Sequence, residues 1–335
     1  MIAMATRTLP LAEAQDLVAR ALIANCTSVA NARAVARALV LAEADGQKGH
    51  GFSRLASYAA QARSGKVDGA AVPEARRVAP AVDAIDARHG FAYPALDLAI
   101  ERLVPLARAQ GIALAGVHRS HHCGAVSLVV ERLAEADLVG LMFANTPSAI
   151  APWGGRRALF GTNPIGCAFP WPGRDPVVVD LSLSKVARGH ILAAQQRGEL
   201  IPRDWALDAE GQPTTDPDAA LAGTMLPMGE AKGAALALAV EALAAGLTGA
   251  RFAFEASSFL DADGAPPSTG QLLIAIDPKM LGAERVLDHL AGLFGTVADE
   301  AGARLPGSRR LALRRRADID GLEVPDSVFD LAGVG

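Results

Sequence analysis

With 335 residues, the chain is long enough for two packed lobes or one elaborated domain, and its 51% hydrophobic content leans on alanine, with only 4% aromatic residues. A net charge of −4, with 32 Lys+Arg against 36 Asp+Glu and one short basic run at Arg314–Arg316, argues against a nucleic-acid partner. Three cysteines, Cys26, Cys123 and Cys167, form no CxxC pair, and the first residues lack the basic start, apolar run and small-residue cleavage pattern of a secretory leader, so the expectation is a reduced, cytoplasmic chain.

In chain order, a helix is expected from about Leu11, and a second over "SVANARAVARALVLAEA" with Ser28 as N-cap, broken at Asp45 and Gly46. A third begins near Phe52, just after the "DGQKGHG" loop, and ends at Gly65. From about residue 80 the pattern alternates between short β-type runs and helices. Candidate strands are "AVDAID", "IALAGV", "LVGLMFAN", "PIGCAFP", "PVVVDLS" and "QLLIAID", the signature of an α/β protein. The stretch from Gly198 to Pro227, rich in Pro and Asp, reads as a long functional loop or boundary. The segment "AKGAALALAVEALAAGLTGA" contains Lys232 and Glu241 and is mostly alanine, so it reads as a buried helix rather than a membrane span. This divides the chain into an N-terminal helical region (1–78), an α/β domain (79–300) and a C-terminal segment (301–335) that closes on the site and packs on the N-terminal helices.

The dinucleotide fingerprint GxGxxG, the P-loop, HExxH, GxSxG and paired CxxC knuckles are all absent. Two local patterns carry chemistry. His50 in a glycine-flanked loop precedes Arg54 by four residues, which pairs a group able to transfer a proton near neutral pH with a guanidinium able to hold a carboxylate. "HRSHHC" crowds His118, His121, His122 and Cys123 into six positions. Adjacent side chains diverge and no second Cys/His knuckle exists, so the preferred reading is a strand-to-helix turn whose amides face an anionic cofactor, with no metal. A metal-dependent hydrolase built on this cluster is the distant alternative.

Six ordered motifs extend the reading: "GHGFSRL" at 49–55, "SHHCGA" at 120–125, "FGTNPIG" at 160–166, "VVDLSLSKVARGHI" at 178–191, "MLPMGEAKG" at 225–233 and "RLPGSRR" at 304–310. Together they resemble the malate/L-lactate dehydrogenase-like oxidoreductases, most closely the reductases of 1-pyrroline-2-carboxylate and 1-piperideine-2-carboxylate. The resemblance implies a non-Rossmann α/β fold with a mixed sheet and an N-terminal helical region, an NADPH (or NADH) cofactor, a small-molecule substrate and a homodimer. The implied reaction is hydride transfer to the C=N carbon of a cyclic α-imino acid, giving L-proline or L-pipecolate. The alternative is a 2-hydroxy-acid dehydrogenase of the same family acting on malate, lactate, ureidoglycolate or a related acid.

By this resemblance His50 is the proton donor, while Arg54, Thr162, Arg188 and Gly189 contact substrate. The cofactor is lined by His121, His122, Cys123, Gly124, Ala125, Asp180, Leu181, Ser182, Lys232 and Gly233. Its adenine end is covered by Leu305, Pro306, Gly307, Ser308, Arg309 and Arg310, with Arg309 or Arg310 available for a 2′-phosphate.

The family's proton relay, a serine just before the histidine and an aspartate after the arginine-glycine pair, is replaced here by Gly49 and His190. Without a nearby carboxylate His50 should be a weaker acid donor at neutral pH, which penalises keto acids more than cyclic imines that enter already protonated. Lys48 or Lys185 is a candidate to supply the missing electrostatics.

Overall fold

The computed structural model describes residues 6–282 and 285–334. The chain enters through strand β1 (Thr6–Leu9) and helices α1 (Leu11–Ile23) and α2 (Val29–Ala44). Ser28 caps α2 by accepting the Asn31 amide at 3.3 Å. Small side chains such as Ala14, Ala21, Ala32 and Ala36 are fully buried here and allow close helix packing.

The third helix, α3 (Leu55–Ser64), starts later than the sequence pattern predicts. Two single-turn 3-10 helices, Lys48–His50 and Phe52–Arg54, precede it. Gly51 explains the break: a Cβ there would lie 2.2 Å from Glu43 Oε2, and that carboxylate takes the Phe52 amide at 3.1 Å. The chain is thereby pinned against the last turn of α2, and His50 is held at the end of a single 3-10 turn rather than on α3.

Next come β2 (Glu74–Ala79), β3 (Val82–Asp86), α4 (Ala92–Gln110), β4 (Ile112–Ser120), α5 (Ser127–Glu135), β5 (Val139–Ala144), β6 (Ile165–Phe169) and β7 (Val177–Leu181). Then follow α6 (Arg188–Arg197), β8 (Ala206–Leu207), α7 (Pro217–Ala222), β9 (Thr224–Met225), α8 (Ala231–Glu241) and β10 (Thr269–Ile276). The main sheet has the order β2-β3-β4-β10-β5-β6-β7. It is mixed: β3 and β4 run parallel and the other neighbours antiparallel. β10 inserts between β4 and β5 and is buried along most of its length, which is why its sequence reads as a continuous apolar run. Leu96, Leu103, Val117, Val130, Leu133, Met142 and Leu273 form the core around the sheet.

All six expected strands are present. β2 escapes the pattern because its residues are nearly all exposed. The stretch from Gly198 to Pro227 is not one loop: β8 and β9 pair within it, and Ile201, Ala206, Ala220 and Met225 share a small core with Ile191 of α6. α8 continues as a π-helical turn over Ala242–Gly246.

The chain closes with α9 (Lys279–Gly282), α10 (Arg285–Asp299), α11 (Ser308–Asp320), β11 (Leu322–Pro325) and α12 (Asp326–Leu331). β11 pairs antiparallel with β1, and Val324, Val328 and Phe329 share a core cluster with Leu17, Leu22 and Leu39. Among the described residues no helix is long and apolar enough to cross a membrane.

Candidate active site

Asp180, at the end of β7, joins three distant stretches. Its Oδ2 accepts the Ser127 amide at 3.0 Å and Gln47 Nε2 at 3.2 Å. Beyond it the Thr162 carbonyl accepts the Leu183 amide at 2.8 Å, and the Leu183 carbonyl accepts the Met228 amide at 2.9 Å. The loop bearing His50, the turn after β4, the "FGTN" loop, residues 180–183 and the approach to α8 therefore converge on one place.

His50 lies against His122, ring centroids 5.3 Å apart and nearly parallel at 19°. His122 is fixed from behind, since its Nδ1 shares a hydrogen with the Tyr58 hydroxyl at 2.6 Å, and that hydroxyl meets Tyr93 at 3.1 Å. Phe259 packs on His122 at 5.1 Å. Burial, then the Arg54 charge, pulls the His50 pKa down to about 4, with Asp180 opposing. Burial likewise puts His122 well below the ordinary histidine value. His50 is thus an uncharged imidazole at neutral pH, with its Nδ1 buried and unpartnered. Arg54 donates through Nε to the Gly49 carbonyl at 2.7 Å and has no carboxylate partner among the described residues.

Gly124 is obligatory. Its φ is +68°, and a Cβ would meet the Tyr93 hydroxyl at 2.6 Å. Burial raises the Cys123 thiol to about 12, which makes it a packed neutral side chain and not a thiolate.

Three expectations change. His121 is 1% exposed, bonded through Nε2 to Gln61 Oε1 at 2.6 Å and edge-on to Phe91; it is a packed histidine behind the site, not a lining residue. His121 and His122 turn to different partners, Gln61 and Tyr58, and among the described residues no three His, Cys, Asp or Glu side chains gather as a metal site, so the geometry lends the distant metal reading no support. Arg310 is 8% exposed and bonded to Asp45 at 2.8 Å and to Glu131 at 3.0 and 3.1 Å, so its guanidinium is not available to a phosphate. Finally, a carboxylate does act on His50: the Asp180 charge raises its pKa, against the larger effects of burial and Arg54, and of the two candidate lysines, Lys48 and Lys185, the second pairs with Asp204. His190 is exposed, with its ring beside Trp205.

The remaining groups fit a dinucleotide. α8 begins without a side-chain cap, after Gly229 and Glu230 with φ of +61° and +57°; the Lys232 amide donates to the Gly229 carbonyl at 3.2 Å, while the exposed Lys232 side chain at this helix start can meet a phosphate. A Cβ on Gly233 would sit 1.8 Å from the Met228 carbonyl, so only glycine allows this tight entry. Leu305, Pro306 and Ser308 line a cavity of about 620 Å³ together with Trp171, Arg174 and Val177. Gly307, φ +83°, packs on the Val178 backbone, and Arg309 is exposed.

Sequence reasoning missed Gln47, Tyr58, Gln61, Tyr93 and Phe259. The spacing of Leu55, Tyr58 and Ala59 marks a buried helix face, but nothing in it foretells that the Tyr58 hydroxyl meets a histidine 64 positions away.

A mixed-sheet fold without a Rossmann fingerprint, whose His50 loop, turn after β4 and approach to α8 are tied together through residues 180–183, fits a non-Rossmann dinucleotide-dependent oxidoreductase. The chain belongs to the malate/L-lactate dehydrogenase family, whose model matches residues 9–331, and it is an NAD(P)-dependent oxidoreductase of that family. It is 52% identical to the (2R)-3-sulfolactate dehydrogenase (NADP(+)) of Chromohalobacter salexigens, over 97% of each chain. It is 42% identical to the Delta(1)-pyrroline-2-carboxylate/Delta(1)-piperideine-2-carboxylate reductase of Pseudomonas aeruginosa, over 95% of this chain and 96% of that one. Among solved structures, the delta1-piperideine-2-carboxylate reductase of Pseudomonas syringae matches with a TM-score of 0.93 at 37% identity, covering 98% of this chain and 100% of that one. The sulfolactate dehydrogenase of Methanocaldococcus jannaschii matches with a TM-score of 0.88 at 27% identity, covering 97% and 95%.

Proposed function

We propose that the chain oxidises a short 2-hydroxy acid bearing a second acidic group, of the 3-sulfolactate or malate type, with NADP+ preferred over NAD+. The observation that carries this reading is the Arg54 guanidinium, held next to the His50 loop by its bond to the Gly49 carbonyl and without a carboxylate partner among the described residues; the family resemblance adds Arg188, exposed at the start of α6. Arg54 takes the carboxylate, Arg188 takes the second acid, and Thr162 and Gly189 flank the substrate. The 52% identity to a sulfolactate dehydrogenase supports the same substrate class.

An uncharged His50 suits the oxidative direction. It accepts the proton of the substrate hydroxyl, while the hydrogen on C2 departs as hydride and leaves a 2-oxo acid. The bound nicotinamide supplies the hydride acceptor. Ala125, Asp180, Leu181, Ser182, Lys232 and Gly233 hold the dinucleotide, and the 305–309 arm covers its adenine end. The chain works as a homodimer in this reading; the exposed Ala235, Leu236, Leu238, Ala239 and Leu247 give α8 and the turn after it an apolar face for the second copy.

The second reading is reduction of 1-pyrroline-2-carboxylate or 1-piperideine-2-carboxylate. Gly49 and His190 favour it: with no relay of the family's kind and a His50 pKa of about 4, the site is a poor proton donor, and a basic imine brings its own proton. Values of kcat/KM for 3-sulfolactate and malate with NADP+, and for both imines and 3-sulfopyruvate with NADPH, decide between them. The first reading requires the hydroxy acids to win; dominant imine turnover replaces it with the second.

A further inference from the structure

The cavity beside the 305–311 arm has a second wall, the turn from β6 into β7, that no motif marks. Trp171 stands on this turn, backed by Phe294 of α10 at 5.6 Å, and the Arg174 guanidinium lies over the indole, 4.8 Å from its centroid. Both residues line the cavity. Of the arginines of α11, Arg310 and Arg314 are held by Asp45 and Glu131 and Arg316 by Asp320, while Arg315 lines the same cavity paired with Asp175. Arg309 is exposed and stands off the cavity lining.

We infer that Arg174, steadied over Trp171, is the residue that reads the 2′-phosphate of NADP(H). This rests on the reading of the cavity as the adenine end of the cofactor site. A guanidinium whose face lies on an indole keeps its edge N–H donors for a phosphate, to which it presents two parallel hydrogen bonds. Stacking also restrains the long side chain beforehand, so less conformational freedom is lost when the anion arrives. The 2′-phosphate is the one group that separates NADP(H) from NAD(H), so Arg174 sets cofactor choice without touching the reacting atoms.

The test is calorimetric titration of adenosine 2′,5′-bisphosphate and of 5′-AMP into the wild type, Arg174→Ala and Arg309→Ala, with no substrate or turnover involved. Arg174 is on the surface, so its removal leaves the fold intact. The expected result is tighter wild-type binding of the bisphosphate than of 5′-AMP, and a loss of roughly 10- to 100-fold for the bisphosphate alone in Arg174→Ala. Equal loss of both nucleotides, no loss, or a selective loss in Arg309→Ala instead would overturn the role of Arg174 while leaving the cavity as the adenine site. Failure of both nucleotides to bind the wild type would remove the cofactor reading of the cavity, and the inference with it.

Discussion

The Tyr58 hydroxyl lies 2.6 Å from His122 Nδ1, and this contact sets the plane against which His50 stacks. Tyr58→Phe leaves a buried ring nitrogen without its partner, at a cost of about 1–3 kcal/mol. Thermal unfolding should show that loss, and kcat should fall as the His50 ring loses its rigid support. The cofactor KM should stay unchanged. A variant with wild-type kcat would show that the stack does not position His50.

Catalysis in the oxidative direction should be active across neutral pH and lose its base only toward pH 4, where His50 takes up a proton. Reduction of a 2-oxo acid needs the opposite form and should weaken steadily as pH rises above that value. Rate profiles in both directions, with His50→Ala lowering kcat by about 10²- to 10⁴-fold, check this. An acid limb near 6.5, the ordinary histidine value, would contradict the account.

Stability should fall with acid for the same reason. His50 and His121 have folded pKa values of about 4 and about 3, both below their ordinary 6.5, so the unfolded chain binds more protons between those limits. Their contribution is complete above pH 6.5 and is lost as pH falls through the folded values. Melting temperatures from pH 8 to pH 4 should decline below about 6.5, and less so in His121→Gln.

Arg310→Met separates a structural from a ligand role. Its guanidinium joins Asp45 just before the His50 loop, Glu131 on α5 and the start of α11, with Arg314 completing the cluster. Removing it leaves buried carboxylates short of a counter-charge, at a cost of about 3–5 kcal/mol. The melting temperature should drop sharply. An unchanged melting temperature with a weakened NADP+ KM would restore Arg310 as a phosphate ligand.

Much of the sheet was legible in the sequence. Strands such as β5, β6 and β10 are apolar runs bounded by turns, whereas β2 is an exposed edge strand whose polar residues carry no such signal. His50, Arg54 and Gly124 stood out because glycine-flanked chemistry is visible locally. The fate of Arg310 was not legible, because its partners Asp45 and Glu131 lie 265 and 179 positions away. The action of Asp180 on His50 was not legible for the same reason: a charge felt across space, between residues 130 positions apart, leaves no spacing pattern.

The most direct test of the account is the rate of NADP+ reduction by (2R)-3-sulfolactate, measured as kcat/KM at neutral pH beside that of 1-pyrroline-2-carboxylate reduction by NADPH. The account predicts efficient sulfolactate oxidation that exceeds imine turnover and drops strongly when Arg54 or Arg188 is replaced by methionine. No hydroxy-acid oxidation alongside brisk imine reduction would contradict it.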